Sequence, residues 1–296
     1  MQRFLNTRTG DFEWHPDPKA VTYAVLSHVW RDPKDGGEQS YPDVLKVQAS
    51  VVISLRKQKA AVMDKLQCLE HMRPSLIPRP SNLISRQDTG HIASSNVLFH
   101  PEISDKIKGL CKVAREAGFS LAWNDACCID KTSSAELSEA INSMYEWYRL
   151  SYMCYVYLSH VPDDNKPHDP WSTFRWSRWH RRGWTLQELI VPEHVVFLTN
   201  TWRFLGTKIG LATTFSRVTG VDVHILAGRV TLDSVSVARR MPWGVQRRTT
   251  RVENEAYCLM GIFGIHMSPI YGEGENAFLR LQEKIIRTIL DQTIFA

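Results

Sequence analysis

The chain has 296 residues, of which 43% are hydrophobic and 23% charged, and its formal net charge is +5 at pH 7. This composition supports a sizeable core and excludes a wholly disordered chain, and the charge excess is too small to indicate a dedicated nucleic-acid binder. No run of about 18 apolar residues occurs, so no transmembrane helix is predicted. The first residues lack a signal-peptide pattern and the six cysteines lack a disulfide framework spacing, so we expect reduced thiols in a cytoplasmic protein.

Apolar periodicity predicts strands that alternate with helices across the middle of the chain. In chain order these are a strand over 21–27, a helix over 103–117, a strand over 119–124, a helix capped by Ser133, a strand over 153–158, a short helix over 184–190 and a strand over 194–199. Such alternation is typical of an α/β fold in which helices cover both faces of a parallel sheet. Residues 1–20 are polar and turn-rich and precede the first predicted strand.

Two segments depart from this alternation. Residues 45–103 begin with helical periodicity and lose it from position 72, where prolines collect, and a structureless loop of that length is unusual in a compact domain. We predict that 45–103 is an insertion, partly helical and most mobile over 72–102, within a core domain that spans 1–206. Residues 207–296 are mainly helical, and we predict that they form an extension packed against that core.

Six motifs follow one another in a fixed order along the chain. They are Y-A-V-L-S-H-V-W from Tyr23, W-N-D-A-C-C-I-D-K from Trp123, E-L-S-E-A-I-N-S-M-Y from Glu136, R-G-W-T-L-Q-E-L from Arg182, T-R-V-E-N-E-A-Y from Thr250 and Y-G-E-G-E from Tyr271. Together they closely resemble the fungal heterokaryon incompatibility (HET) domain over roughly 1–44 and 104–296. Three features depart from that family: Arg31 replaces a common glycine, Asn254 replaces a usual acidic residue, and the 45–103 insertion has no counterpart.

HET domains in turn resemble TIR domains, and this more distant similarity implies a TIR-like, flavodoxin-like parallel sheet. TIR enzymes that cleave NAD carry an essential glutamate on a helix after the third strand, and the motif W-T-L-Q-E matches that position with Trp184 and Glu188. The resemblance therefore implies hydrolysis of NAD at the nicotinamide–ribose bond, with Glu188 as the catalytic carboxylate and NAD as substrate rather than cofactor. It also implies regulated fungal cell death after non-self recognition, self-association and partner signalling domains or proteins.

The predicted reaction suits a fixed carboxylate beside an aromatic ring. Cleavage of the nicotinamide–ribose bond passes through an oxocarbenium-like state, whose positive charge a nearby anion stabilises. Trp184 and Glu188 are four residues apart, so a helix would place both side chains on one face. The residues predicted to line the substrate cleft with them follow the first two parallel strands and are Ser27, His28, Trp30 and Asp125.

Simpler interpretations of these residues remain open. Ser27 could cap a helix, Trp30 could pack in the core and Asp125 could cap a turn. Without the resemblance, Glu188 would be assigned to the solvated surface, where glutamates usually lie. A non-enzymatic function also remains open, in which the same surfaces trigger incompatibility cell death by oligomerisation, because TIR domains include enzymes and pure assembly modules.

Two further chemistries are disfavoured by the sequence. The stretch 171–184 interleaves tryptophan with arginine, a pattern found where single-stranded nucleic acids stack, but aromatic clusters are more typical of cores and interfaces, so we expect no nucleic-acid partner. The spacing of cysteines and histidines predicts no metal site. The G-x-G-x-x-A pattern from Gly272 follows no predicted strand, so it is not interpreted as a dinucleotide-binding loop.

Overall fold

The computed structural model describes the backbone of residues 2–71, 96–291 and 293 and, except for 66–71, their side chains. Within these residues seven strands form one sheet: β1 (Gln2–Asn6), β2 (Phe12–His15), β3 (Tyr23–His28), β4 (Leu121–Trp123), β5 (Met153–Tyr157), β6 (Val195–Leu198) and β7 (Phe204–Thr207). Their spatial order is β2–β1–β4–β3–β5–β6–β7.

The helices of the described residues flank this sheet and fill the C-terminal part of the chain. They are α1 (Tyr41–His71), α2 (Asp105–Glu116), α3 (Ser134–Leu150), α4 (Thr185–Ile190), α5 (Ala212–Thr219), α6 (Val223–Leu226), α7 (Val237–Arg240), α8 (Pro242–Val245), α9 (Asn254–Tyr257) and α10 (Asn276–Thr288). The predicted cap of α3 is confirmed, since the Ser133 hydroxyl accepts a hydrogen bond from the backbone N–H of Glu136. None of the described helices is long and apolar enough to cross a membrane.

The predicted α/β fold is confirmed, with a parallel centre and antiparallel edges. Strands β4, β3, β5 and β6 pair in parallel, which gives these four strands the order 2-1-3-4 of a flavodoxin-like sheet. Outside this centre, β1 pairs antiparallel with both β2 and β4, and the edge strand β7 pairs antiparallel with β6, so antiparallel strands extend the predicted parallel sheet on both sides. In a sheet of this order, β3 lies at the switch point, and ligands bind beyond the carboxyl ends of the strands there.

The hairpin formed by β1 and β2 lies in the region that the sequence presented as polar and turn-rich. Its charged residue Arg3 is only 3% exposed, because its guanidinium lies over the rings of Trp14 and Tyr41 and pairs with Glu136. These three partners compensate for the burial of a cation in the strand β1. Apolar alternation is a poor guide where an arginine occupies a core-facing position.

Hydrophobic side chains cover both faces of the sheet. On one face, Leu26 and Tyr155 pack with Leu110 of α2 in a small cluster. On the other face the main cluster joins residues of the strands and of α3 and α4 with residues of the C-terminal portion, among them Trp243 and Tyr257. The C-terminal portion therefore shares the core of the sheet.

The predicted insertion contains one long helix and a packed return to the sheet. The helix α1 buries Val44, Val47 and Val51, and residues 72–95, which include most of the predicted mobile stretch, lie outside the described residues. The end of that stretch is not loose, however. Val97 and Leu98 are buried in the main cluster, and this packing argues against mobility at 97–98.

Truncation at this packed turn tests its contribution to stability. Leu98→Ala should lower the free energy of unfolding by about 2–4 kcal/mol, because it removes a buried side chain and leaves a cavity. Phe99 follows directly and is 68% exposed, so Phe99→Ala is the matched control and should change stability by less than about 0.5 kcal/mol. Urea unfolding of both variants measures the difference, and equal small effects would show that the turn is as loose as its sequence suggested.

Candidate functional site

A cleft of about 1270 Å³ lies beyond the carboxyl ends of β3 and β4. The predicted residues Trp30, Asp125 and Trp184 lie in its wall. Ser27 and His28, the last residues of β3, are 0% and 3% exposed and lie behind that wall. The structure thus brings all the predicted residues to one end of the sheet, but in two layers.

Asp125, which follows β4, forms hydrogen bonds with residues at the end of β3 and just after it. Its carboxylate accepts hydrogen bonds from Trp30 Nε1 at 2.9 Å and from His28 Nε2 at 3.1 Å. Burial alone would raise the pKa of Asp125, but the hydrogen bond from His28 and the charges of Lys131 and Arg182 hold it well below its usual range. Asp125 is therefore an anion at neutral pH, and it fixes the Trp30 ring in the cleft wall.

His28 is held by partners on both sides of its ring. Its Nδ1 atom lies 3.1 Å from the ammonium of the buried Lys106, which also donates to the carbonyl of Val29 and to Glu38. An ammonium group can only donate, so Nδ1 accepts and the proton of a neutral imidazole resides on Nε2, facing Asp125. Both nitrogens of His28 are thus engaged within the protein, which indicates that His28 positions Asp125.

Glu188 is buried directly behind the cleft, with an exposed fraction of 5%. Ser27 Oγ donates a hydrogen bond of 2.5 Å to Glu188 Oε2 and accepts one of 2.8 Å from Trp179 Nε1. Burial raises the pKa of Glu188 to about 8, and the charge of Asp125 adds to this rise, while Ser27 and two arginines oppose it. Glu188 is therefore not a solvated surface residue, and at neutral pH it is mostly protonated.

The helix α4 carries Glu188 on its first turn, and hydrogen bonds to the preceding segment fix its N-terminus. The Thr185 hydroxyl donates to the carbonyls of Trp179 and Arg182 at 2.5 and 2.8 Å, which fixes the start of this six-residue helix without a side-chain cap. The backbone N–H of Glu188 donates to the carbonyl of Trp184. Trp184 is half-buried and faces the cleft, whereas Glu188 is turned inward, so only the ring of the predicted pair lies in the wall.

Trp179 is a residue of this site that the sequence did not identify. It was assigned to packing with the other tryptophans of the 171–184 stretch, and its ring is fully buried beside Phe197. Its indole N–H nevertheless reaches Ser27. A buried tryptophan needs one hydrogen-bond acceptor, but no sequence pattern shows which acceptor the fold supplies.

The C-terminal portion completes the cleft with Arg247 and the residues that follow it. Arg247 Nη1 donates at 2.9 Å both to the Arg182 carbonyl and to the Thr185 hydroxyl. Burial lowers the pKa of Arg247 to about 10, with Cys258 and Glu188 acting in the opposite direction, so it remains a cation. These residues were missed because they follow a short helix with no periodicity of their own.

Two backbone hydrogen bonds join the segments 181–183 and 247–249. The N–H of Gly183 donates to the Arg248 carbonyl and that of Arg248 to the Arg181 carbonyl, at 2.9 and 2.6 Å. A Cβ atom on Gly183 would lie 2.5 Å from Thr249 Cγ2 and 3.0 Å from Cys258 Sγ. Only glycine permits the two segments to approach so closely.

The close approach at Gly183 can be tested by a double-mutant cycle. Gly183→Ala should lower the free energy of unfolding by about 1–3 kcal/mol, because the added methyl group overpacks a buried contact. Thr249→Ala removes the nearest obstructing carbon, so the double variant should recover part of the loss. Thermal and urea unfolding of the three variants measure this coupling, and strictly additive effects would contradict the predicted clash.

Comparisons with known proteins support the predicted family. The family described as "Heterokaryon incompatibility protein (HET)" matches residues 85–170. The "Vegetative incompatibility protein HET-E-1" of Podospora anserina is 45% identical over 186 residues, which cover 61% of this chain and 14% of that protein. The chain thus spans about one seventh of the length of this relative, and no solved structure matches it. The resemblance to the HET domain is confirmed.

Proposed function

We propose that this chain, which carries a HET domain, hydrolyses NAD at the nicotinamide–ribose bond and so triggers cell death in fungal non-self recognition. The name of its relative from Podospora anserina supports the incompatibility role. The observation that carries the enzymatic proposal is the position of Glu188, a carboxylate bonded to Ser27 immediately behind a cleft at the switch point of the sheet. Ligands of α/β sheets bind at this position.

The residues of the cleft suit the steps of this reaction. The bond between the ribose C1′ carbon and the pyridinium nitrogen breaks, its electron pair leaves with neutral nicotinamide, and water attacks C1′ to give ADP-ribose and a proton. Ionised Glu188 would stabilise the oxocarbenium-like state by its negative charge, in a site where burial strengthens electrostatic interactions. Trp184 would offer its ring to the nicotinamide from the wall of the cleft.

Because Glu188 is buried, the proposed reaction depends on whether its carboxyl group is ionised. In the free protein, burial and the charge of Asp125 keep the carboxyl mostly neutral below its pKa of about 8. The nicotinamide ring of NAD is a cation, and a cation bound nearby favours the ionised form. Binding of the substrate therefore promotes the charge that the reaction requires, while Ser27 and Trp179 hold the carboxyl group in place.

Glu188→Gln tests the carboxylate. This substitution retains the shape and hydrogen bonding of the side chain but removes its charge, so turnover of NAD should fall by about 100-fold or more. Release of free nicotinamide from NAD by the purified protein measures turnover. Glu193→Gln, at an exposed glutamate five residues further along the chain, is the matched control and should retain full activity. A folded Glu188→Gln protein with full NAD cleavage would show that Glu188 is not the catalytic carboxylate.

The raised pKa of Glu188 predicts the pH dependence of activity. If the ionised form of the free protein is required, kcat/KM rises with pH and levels off above about pH 8. Stability follows the opposite trend, because the folded protein retains a proton that the unfolded chain has released between its ordinary pKa and about 8. Glu188→Gln should remove this decline and stabilise the fold above neutral pH, as thermal unfolding across pH 5–9 would show. A pH-independent kcat/KM contradicts the assignment.

Trp184→Phe separates a role in the cleft from a role in packing. The smaller ring keeps most of the packing, and we expect the variant to stay folded while losing part of its NAD affinity. Base stacking contributes about 1–3 kcal/mol, so Trp184→Ala should weaken NAD use by roughly 5- to 150-fold. Trp171→Phe, at a ring 83% exposed and outside the cleft wall, is the control for the KM measurement. A Phe variant with a lower melting temperature and unchanged NAD kinetics would make Trp184 structural.

One observation favours the alternative, a non-enzymatic module that acts by assembly. Along α1, the described side chains from Val52 to Lys65 are exposed except for the half-buried Leu55, and four of them are the large apolar residues Val52, Ile53, Val62 and Met63. Exposed apolar residues of this kind suit self-association. Cell killing that survives Glu188→Gln but is lost when these four residues are replaced by glutamine would favour the assembly module.

A further inference from the structure

The wall of the cleft carries an excess of positive charge. Eight of its residues are cationic and come mainly from two segments that are far apart in the sequence: Arg31, Lys131, Arg178, Arg181, Arg182, Arg247, Arg248 and Arg251. Its carboxylates are Asp32, Glu38 and Asp125. A concave wall with such an imbalance concentrates anions from solution.

The three carboxylates are already engaged by other groups. Asp125 is bonded to His28 and Trp30, and Glu38 pairs with the buried Lys106. Asp32 caps the short turn that follows it, by accepting from the N–H of Lys34. Three carboxylates cannot balance eight cations, so most of the arginines of the two segments keep uncompensated charge.

Three of these arginines rest on aromatic rings. The guanidinium of Arg181 lies 5.9 Å from the ring centroid of Trp176, that of Arg182 lies 5.0 Å from Trp30, and that of Arg251 lies 4.4 Å from Tyr271. Contact with a ring face holds a guanidinium in position without occupying its N–H groups. The donors at the edge of a stacked guanidinium therefore point away from the ring and are available to an oxyanion.

Arg247 provides a second, independent indication of an anion. Its side chain is 7% exposed and lines the cleft. Its Nε and Nη1 atoms donate to neutral oxygen atoms, and among the described residues Nη2 has no partner. A buried cation without a counter-ion and with an unpaired donor is costly, and phosphate oxygens are the acceptors that suit a guanidinium best.

The geometry points to a diphosphate subsite formed by the segment 178–182 and the facing segment 247–251. The hydrogen bonds between residues 181–183 and 247–249 fix the spacing of the two segments, so a pyrophosphate group between them could accept from both. This inference rests on the proposed function and deepens it, because it assigns the nucleotide end of the substrate to the C-terminal portion. The site would thus take a nicotinamide dinucleotide, which contains a diphosphate, in preference to nicotinamide riboside, which has no phosphate.

The subsite can be measured without any reaction. The double variant Arg248→Gln/Arg251→Gln alters two exposed side chains of the cleft wall, so its folding should be unchanged. We expect the intact chain to bind inorganic pyrophosphate and ADP-ribose in calorimetry, with affinity that falls as salt is added. The double variant should bind both about 10-fold more weakly or worse. Arg217→Gln/Arg229→Gln removes the same charge at exposed positions outside the cleft and should bind as the parent does.

The outcomes separate this inference from the proposed function. If pyrophosphate binds through Arg248 and Arg251 but no nicotinamide is released from NAD, the subsite stands and the enzymatic proposal fails. If NAD is cleaved but its KM and pyrophosphate affinity are unchanged in the cleft variant, the subsite is overturned and the proposed function stands. Equal weakening by the two double variants would show an effect of net charge only, which also overturns the subsite.

Discussion

The hydrogen bond between Ser27 and Glu188 joins the central strand of the sheet to the helix α4. Both side chains are withdrawn from water, Ser27 completely and Glu188 almost completely, so water does not compete for this bond. That withdrawal depends on Trp179, which donates to Ser27 and fills the space beside it, and on Arg247, which holds the start of α4 through Thr185. A carboxyl group with a raised pKa is thus the product of packing from three parts of the chain.

A second set of hydrogen bonds, which does not include Ser27 or Glu188, keeps the wall of the cleft in place. Lys106 fixes the tautomer of His28, His28 orients Asp125, and Asp125 holds the indole of Trp30. Each residue of this chain is oriented by a hydrogen bond from one neighbour and orients the next. Buried polar networks of this kind are rigid when their donors are satisfied. Two networks therefore fix the shape of the cleft. One holds Trp30 in its wall, and the other holds Glu188 behind the wall.

Much of the fold can be predicted from the periodicity of the sequence, whereas the burial and protonation of the site residues cannot. Buried strands such as β3 and β5 and helices such as α3 carry strong local patterns, and they occur where the sequence predicts them. The hairpin of β1 and β2 was missed because Arg3 is buried by contacts with Trp14 and Tyr41 that are not visible in a local pattern.

Glu188 was predicted from the resemblance to TIR domains, and it lies directly behind the cleft. Its burial, its bond to Ser27 and its proton depend on segments more than fifty residues away in either direction. Arg247 could not be found for the same reason, since its importance comes from meeting Arg182 and Thr185 in space. Long-range packing decides protonation and exposure, and local sequence carries almost no information about either.

The strand-like contact between residues 181–183 and 247–249 has an evolutionary consequence. The relative from Podospora anserina is about seven times longer than the region it shares with this chain, so in that protein the shared region is one part of a much longer chain. A module cut at the end of the sheet would leave α4 without its support from Arg247 and would expose the apolar surface that Trp243 and Tyr257 now cover. A unit that is inherited intact therefore has to extend past the sheet, and recombination within residues 183–247 would separate the two segments that line one cleft.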